Sequence, residues 1–176
     1  MEVFQTRGYE GTSLIDLLEG TGLSRGSLYK AFSDKRTLFL AALDRYTTEN
    51  MENLRQALTQ GHPREAIRSA LLAIAKASAF TLGERGCLVV GSTTEMVSKD
   101  AEVKKHIKQT FSRMQGFLRE AIVRGQAEGE ISIGHSADAL SRFLLCTIEG
   151  MGVLGKTGRT EKEMSEIVEV ALQALR

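Results

Sequence analysis

Apolar residues recur at helical spacing along most of the chain, and capping residues interrupt them at intervals. Met1 to Arg7 reads as the end of a helix stopped by Gly8. Thr12 or Ser13 caps a helix through Glu19, with Leu14, Ile15, Leu17 and Leu18 as its apolar set. Gly20 and Gly22 make a turn around Thr21, and Ser24 caps a helix ending near Phe32. Ser33 or Asp34 caps a long helix from Lys35 to about Gln60, whose stripe is Leu38, Leu43, Tyr46, Leu54 and Leu58. Gly61 and Pro63 end it and start another, in which Ile67, Ala70, Leu71, Ile74 and Ala77 recur up to Gly83. "GERGC" reads as a turn and "LVVGSTTEMV" as a short apolar stretch. A long amphipathic helix follows from Ala101 to about Glu128, with the stripe Val103, Ile107, Phe111, Met114, Leu118 and Ile122. "EISIGH" reads as extended or loop. Ser136 caps a helix through about Leu154, and Thr160 caps a last one to Leu175.

This pattern predicts about nine helices and an all-α chain without internal repeats. Composition agrees: of 176 residues 42% are hydrophobic, one is proline and none is tryptophan, which suits one or two helical units with a real core. No apolar run is long enough to span a bilayer and no basic-then-apolar leader is present, so the reading is cytoplasmic, with no membrane partner. Cys87 and Cys146 lie far apart with no CxxC spacing, which argues against a zinc site and a disulfide framework. Net charge is +1. From Met1 to Asp34, Arg7, Arg25 and Lys30 stand against Glu2, Glu10, Asp16, Glu19 and Asp34. Any claim of DNA binding must therefore rest on the arrangement of residues rather than on bulk charge.

That arrangement is "GLSRGSLYKAF", Gly22 to Phe32. Two short helices joined by a tight glycine turn, the second capped by Ser24 and carrying basic residues, form a helix-turn-helix pattern. The second helix of such a pair enters the major groove with its first residues nearest the base edges. Arg25 is placed to make a bidentate contact to guanine. Ser27 can reach a base or a phosphate, and Gly26 leaves room for close approach. Tyr29 and Lys30 have the reach for phosphates, which position the protein without specifying sequence. Thr12, Ser13 and the start of the helix at Lys35 would face phosphates as helix N-termini do. The plain alternative is a helical hairpin in an ordinary bundle, with Arg25 and Lys30 solvated and Tyr29 half-buried.

"RGYEGTSLIDLLEGTGLSRGSLYKAFSDKRTLF", Arg7 to Phe39, resembles the DNA-binding domain of TetR-family transcriptional regulators. The shared features are a Gly-aromatic pair, Thr-Ser before the second helix, Gly-Leu-Ser, Leu-Tyr-x-x-Phe, and a lysine before a leucine-rich helix. "RGCLVVGSTTE" resembles a stretch found in one branch of that family. The resemblance implies a helix-turn-helix domain over 1–46 and a larger helical effector-binding and dimerisation domain over 47–176. It implies a homodimeric repressor that binds operator DNA and is released by a small-molecule effector whose identity the sequence does not name. Family members usually begin with ten or more further residues, often basic, so the first helix is expected to be truncated here and the small core incomplete. The alternative function is a helical ligand-binding or adaptor protein that lacks DNA binding for that reason.

Further residues carry expectations about the larger domain. Phe80, Cys87, Met96, Phe111, Met114, Phe117, Phe143 and Met151 are candidates for a pocket lining, with plain core packing as the alternative. Glu149, in "CTIEGMG", can meet a polar ligand group, although such a residue is more often solvated. Leu140, Phe143, Leu144, Ile148 and Met151 on one helix, and Met164, Ile167, Val168, Ala171 and Leu175 on the other, are expected to build a two-fold four-helix interface. Gly150 and Gly152 would permit close helix approach there. The alternative is that both stripes pack on their own subunit. Cys87, after Arg85 and Gly86 at the start of a helix, is a candidate for a lowered thiol pKa and a sensing role, against burial as a small apolar residue. Cys146 reads as inert. His62, His106 and His135 are scattered over expected loop and surface positions with no metal-ligand spacing or catalytic pairing, and no phosphate loop or nucleophile elbow occurs. The chain therefore reads as no enzyme, with no cofactor and no metal.

Overall fold

The computed structural model describes residues 1–80 and 85–176, and among these it holds nine α-helices and no strand. They are α1 (Glu2–Arg7), α2 (Leu14–Thr21), α3 (Arg25–Ala31), α4 (Lys35–Thr59), α5 (Pro63–Ala79), α6 (Leu88–Glu95), α7 (Ala101–Ala127), α8 (Ala137–Gly155) and α9 (Glu161–Ala171). A 3₁₀ turn, Leu172–Leu175, finishes the chain where the sequence pattern continues an α-helix to Leu175. The all-α expectation holds, and so do most of the predicted starts, because they are set by local chemistry. Ser13 accepts from the Asp16 N–H and Asp16 returns the bond, a capping box. Asp34 accepts from the Thr37 N–H, Pro63 occupies the first turn of α5, Ser136 accepts from the Ala139 N–H, and Thr160 forms a second capping box with Glu163. Gly22 closes α2 at φ 66°, a left-handed conformation that costs glycine little, and this turn aims α3. The extension of α5 to Gly83 and the first two residues of the "GERGC" turn lie outside the described residues. "EISIGH" is a loop, in which Ile131 is buried in the bundle while Ile133 is exposed.

Two hydrophobic clusters organise the helices. The first joins Phe4, Leu17, Leu28, Phe39, Leu43 and Tyr46 to Leu88 and Val89 of α6, to Met96 just after it and to Val103 and Ile107 at the head of α7. Phe39 lies edge-on to both Phe4 (5.2 Å) and Tyr9 (4.9 Å). The small core that the resemblance leaves incomplete is supplied in part by α6 and α7. The second cluster fills the larger bundle, from Met51, Leu54 and Leu58 of α4 through Ile67 and Leu71 of α5 and Leu118 and Ile122 of α7 to Leu144 and Met151 of α8 and Met164 and Val168 of α9. The helix α4 passes without a break from one cluster to the other.

Polar ties reinforce this junction. Arg36 of α4 donates Nε and Nη2 to Asp100 (2.6 and 3.0 Å), which also caps α7 through the Glu102 and Val103 N–H groups. The Arg36 guanidinium holds the Asp100 carboxyl down at about 2. Glu95, at the end of α6, accepts the N–H groups of Tyr9 and Glu10, each at 2.8 Å. Gln5 donates to the Gly86 carbonyl at 3.1 Å.

Candidate functional site

The helix α3 presents its polar residues outward. Ser24, Arg25, Gly26, Ser27, Tyr29 and Lys30 are exposed, while Leu28 is 4% exposed and anchors the helix in the first cluster. Ser24 Oγ accepts from the Ser27 N–H (3.2 Å), and the two hydroxyls lie 2.9 Å apart. The Arg25 guanidinium stands over the Tyr29 ring, 5.8 Å from its centroid, which holds both side chains above the helix surface. Ser13, also exposed, caps α2.

Of the nine candidate DNA-facing residues, Thr12 is placed differently from the expectation, and Lys35, expected at a phosphate-facing helix start, has its side chain turned to the α1–α2 loop. Thr12 is buried, 1% exposed, and its hydroxyl donates to the Gly8 carbonyl. Lys35 donates Nζ to the carbonyls of Tyr9 (2.9 Å) and Thr12 (3.0 Å) and lies over the Tyr9 ring. Both side chains are engaged in holding the α1–α2 loop, because that loop leaves carbonyl groups that need donors.

A cavity of about 250 Å³ lies in the larger bundle between α4, α5, α7, α8 and the start of α6. Tyr46, Thr47, Asn50, Met51, Asn53, Leu54 and Ala57 of α4 line one side; Ala70, Ala73, Ile74, Ala77 and Ser78 of α5 another; Cys87, Val89, Val90, Thr110, Met114, Ile148, Glu149 and Gly152 close it. Of the eight candidate pocket residues, Cys87 and Met114 line this cavity. Met96 and Phe111 belong to the first cluster instead, and Met151 and Phe117 to the bundle core, because their helix positions face neighbouring helices. Phe80 and Phe143 are exposed.

Of the two readings of Glu149, a side chain that meets a ligand group or a solvated one, its position favours the first. Glu149 lines the cavity, and burial alone pushes its carboxyl up to about 7. Ser78 is fully buried, and its hydroxyl has no hydrogen-bond partner among the described residues. Of the two readings of Cys87, its position favours the small buried residue over the lowered thiol: burial pushes the thiol up, and nearby Glu149 adds to this, outweighing bonds from the Val90 and Val89 N–H groups and the Tyr46 hydroxyl, 3.7 Å away. Cys146 is the exposed thiol of the pair, on the outer face of α8, so inertness is not what its position provides. Tyr46, Asn50 and Asn53 were missed as site residues. Their signal is present in sequence as a polar break, spaced i, i+4, i+7, in the stripe of α4.

The stripes expected at a subunit interface divide. Leu140, Leu144, Ile148, Met151, Met164, Val168, Ala171 and Leu175 are buried in their own subunit, and Ile167 is partly buried against the same core. A helix in this bundle needs an inward stripe before it can offer an outward one. Phe143 faces out, together with Cys146, Val153 and Leu154 on α8 and Val170 on α9. The histidines are also less scattered than they look in sequence. His62 Nδ1 lies 2.7 Å from Glu130, and Glu128 stands near both on the surface. His106 sits on α7, half-buried, 2.9 Å from the Thr47 hydroxyl.

Residues 1–42 match the family model for bacterial regulatory proteins of the tetR family, and residues 61–171 match the tetracyclin repressor-like C-terminal domain. The chain is 28% identical over 175 residues to the HTH-type transcriptional repressor ComR of Escherichia coli (strain K12), covering 98% of this chain and 83% of that protein. It is 37% identical over 71 residues to the HTH-type transcriptional activator FasR of Mycolicibacterium smegmatis, 40% of this chain and 32% of that protein. Among solved structures it resembles a cysteine mutant of the TetR-family regulator CifR complexed with 26-bp double-strand operator DNA. That likeness has 28% identity and a TM-score of 0.87, over 99% of this chain and 92% of that one.

Proposed function

The chain belongs to the TetR family of bacterial transcriptional regulators, DNA-binding proteins rather than enzymes, and on that premise we propose a homodimeric repressor that leaves its operator when a small molecule fills the cavity. In this reading residues 1–46 bind DNA through α3, with Arg25 at a base edge and Tyr29 and Lys30 on phosphates. Ser24, Gly26 and Ser27 lie against the groove, and Ser13 and the N-terminus of α2 approach the backbone. Residues 47–176 bind the effector and the second subunit.

The observation that carries the proposal is the connection between the two sites. The helix α4 begins at the DNA-binding unit and lines the cavity from Tyr46 to Ala57. The helix α6 meets the cavity at Val89 and Val90, beside its cap Cys87, and grips the α1–α2 loop through Glu95 at the other end. An occupant that favours a different spacing of α4, α5 and α6 therefore favours a different aim of α3, which is the differential binding that release requires.

The reading of a dimer is supported by the outward apolar residues Phe143, Val153, Leu154 and Val170 on α8 and α9. Pairing these faces about a two-fold axis would set two α3 helices about one DNA turn apart, ~34–36 Å. Phe143→Glu and Val170→Glu are expected to give folded monomer by light scattering. The chain acts in the cytoplasm in this reading, and no helix among the described residues is long and apolar enough to cross a membrane.

The test is selection of bound sequences from random duplexes, followed by fluorescence anisotropy on the selected duplex. The expected product is a palindrome with half-sites one turn apart. A chain that selects nothing, or selects a single half-site as a monomer, overturns the proposal. A reporter placed behind the selected duplex separates repression from activation.

A further inference from the structure

Glu149 is the one charged side chain among the described residues that line the cavity. The wall around it is largely apolar, from Met51, Leu54, Ile74, Val90 and Ile148. No lysine or arginine in that lining offers it a counter-charge. The other titratable groups there are Tyr46 on α4 and Cys87 before α6, both neutral at physiological pH because burial raises them. A carboxylate is ordinarily withdrawn from water only when it is paired. Here the fold has withdrawn much of one half of an ion pair from water, and no second half stands among the described lining residues.

Resting on the reading of the cavity as the effector site, we infer that the effector is a small cationic amine: a compact apolar body, about one ring in size, whose ammonium group pairs with Glu149. The size follows from the volume of about 250 Å³, just under the ~300–1,000 Å³ common for ligand pockets. The charge follows from the lining. A carboxylate ligand would meet a like charge in a poorly solvated space, and a neutral ligand would leave Glu149 unpaired. An ammonium forms a charge-assisted hydrogen bond to a partner already in place. The Ser78 hydroxyl, without a partner among the described residues, and the amides of Asn50 and Asn53, which are exposed, can accept remaining ammonium protons or orient a second polar atom.

The test uses three probes that share one body and differ in the head group: 4-phenylbutylamine, 4-phenylbutan-1-ol and 4-phenylbutyrate. Isothermal titration of the full chain at about pH 8 is expected to rank the amine at least tenfold above the alcohol and the butyrate last. In Glu149→Gln, amine affinity should fall to that of the alcohol while alcohol affinity stays. In the wild-type chain the amine should bind about tenfold more tightly near pH 8 than near pH 6, as the carboxyl loses its proton, and the alcohol should show no such change. That comparison keeps the test decisive even where the variant folds poorly. Equal affinity for amine and alcohol, an amine preference that survives Glu149→Gln, or no binding of any probe at millimolar concentration overturns the inference. Release of the selected duplex is read alongside by anisotropy. The predicted head-group order without any DNA release overturns the effector reading alone, and equal release by amine and alcohol overturns the amine inference alone.

Discussion

On α3 the polar groups are exposed and partnered within the helix itself: Ser24 caps the Ser27 N–H, and Arg25 lies over Tyr29. In the cavity two polar groups are largely withdrawn from water: Ser78 has no hydrogen-bond partner among the described residues, and burial raises the Glu149 carboxyl. The first surface is stable without its partner, since water solvates Arg25 and Lys30 until DNA replaces it. The second carries a standing cost that an occupant relieves. A regulator needs this asymmetry. Its DNA-binding face must persist in the free state, whereas its sensing site must gain more from the ligand in one arrangement of helices than in another.

The largest expected effect breaks the first half of the comparison. Arg25→Ala should cost about 1–3 kcal/mol of discrimination at one base pair in each half-site, and a dimer has two. Lys30→Ala should weaken binding more evenly across sequences and flatten the salt dependence. Competition anisotropy on duplexes varied one base pair at a time separates the two. Unchanged base preference in Arg25→Ala would move the recognition contact to another residue.

The next effect falls beside the cavity, where α8 packs on Ser78 of its lining. A Cβ at Gly155 would run into the Ser78 carbonyl oxygen, so α8 and α5 approach too closely for alanine. Gly155→Ala should destabilise the chain by up to about 3 kcal/mol through overpacking, read as a lower urea midpoint. An unchanged midpoint would show that α5 and α8 part without strain, and the cavity would then be softer than its geometry implies.

The α3 surface was legible in sequence because it is local. Cap, turn glycine, inward Leu28 and outward Arg25 fall within eleven residues, and each obeys a rule of helix ends or helix faces. The cavity was not, because it is assembled from five elements distant in sequence. Periodicity finds the apolar stripe of each helix but does not say which gap the stripes leave between them. Met96, Met151 and Phe117 have the residue types of a pocket lining and serve as core. Ala73, Ala77 and Gly152 have the types of packing spacers, and they make room for the cavity instead. The same limit applies to Glu95, a lone acid at the end of a short helix with no sequence signal that its carboxylate meets Tyr9 and Glu10. On α8 and α9 the apolar stripes were legible, but only burial separates the inward residues from Phe143 and Val170.

A third expected effect sharpens the cavity half by pH. The Glu149 carboxyl is raised from 4.5 to about 7 in the folded chain. Between those values the unfolded chain loses a proton that the folded chain keeps. Stability therefore falls as pH rises across that window and levels off above it. Partial exposure of Glu149 limits the effect to about 2 kcal/mol. Glu149→Gln should lack this slope and exceed the wild-type stability near pH 8, with little difference near pH 4.5, by urea denaturation at each pH. Parallel pH profiles for the two chains would place the carboxylate in water.

The smallest expected effect joins the two regions. The Glu95 carboxylate receives two N–H groups, from Tyr9 and Glu10, and so fixes the loop that leads into α2. A glutamine there keeps one acceptor oxygen and turns an amide group, itself a donor, toward the second N–H. Glu95→Gln should cost about 1 kcal/mol, a drop of about 2–4 °C in Tm. Lys99→Ala is the matched control, since its exposed pair with Glu10 at 3.3 Å should contribute little. The more telling readout is coupling. If α6 carries the signal, Glu95→Gln should bind the selected duplex nearly as well as the wild-type chain but lose much of its release by 4-phenylbutylamine. Lys99→Ala should keep that release. A Glu95→Gln chain with lowered Tm and intact release would leave the signal to α4 alone, whose unbroken passage from Lys35 to Thr59 needs no side-chain clamp to connect cavity and DNA.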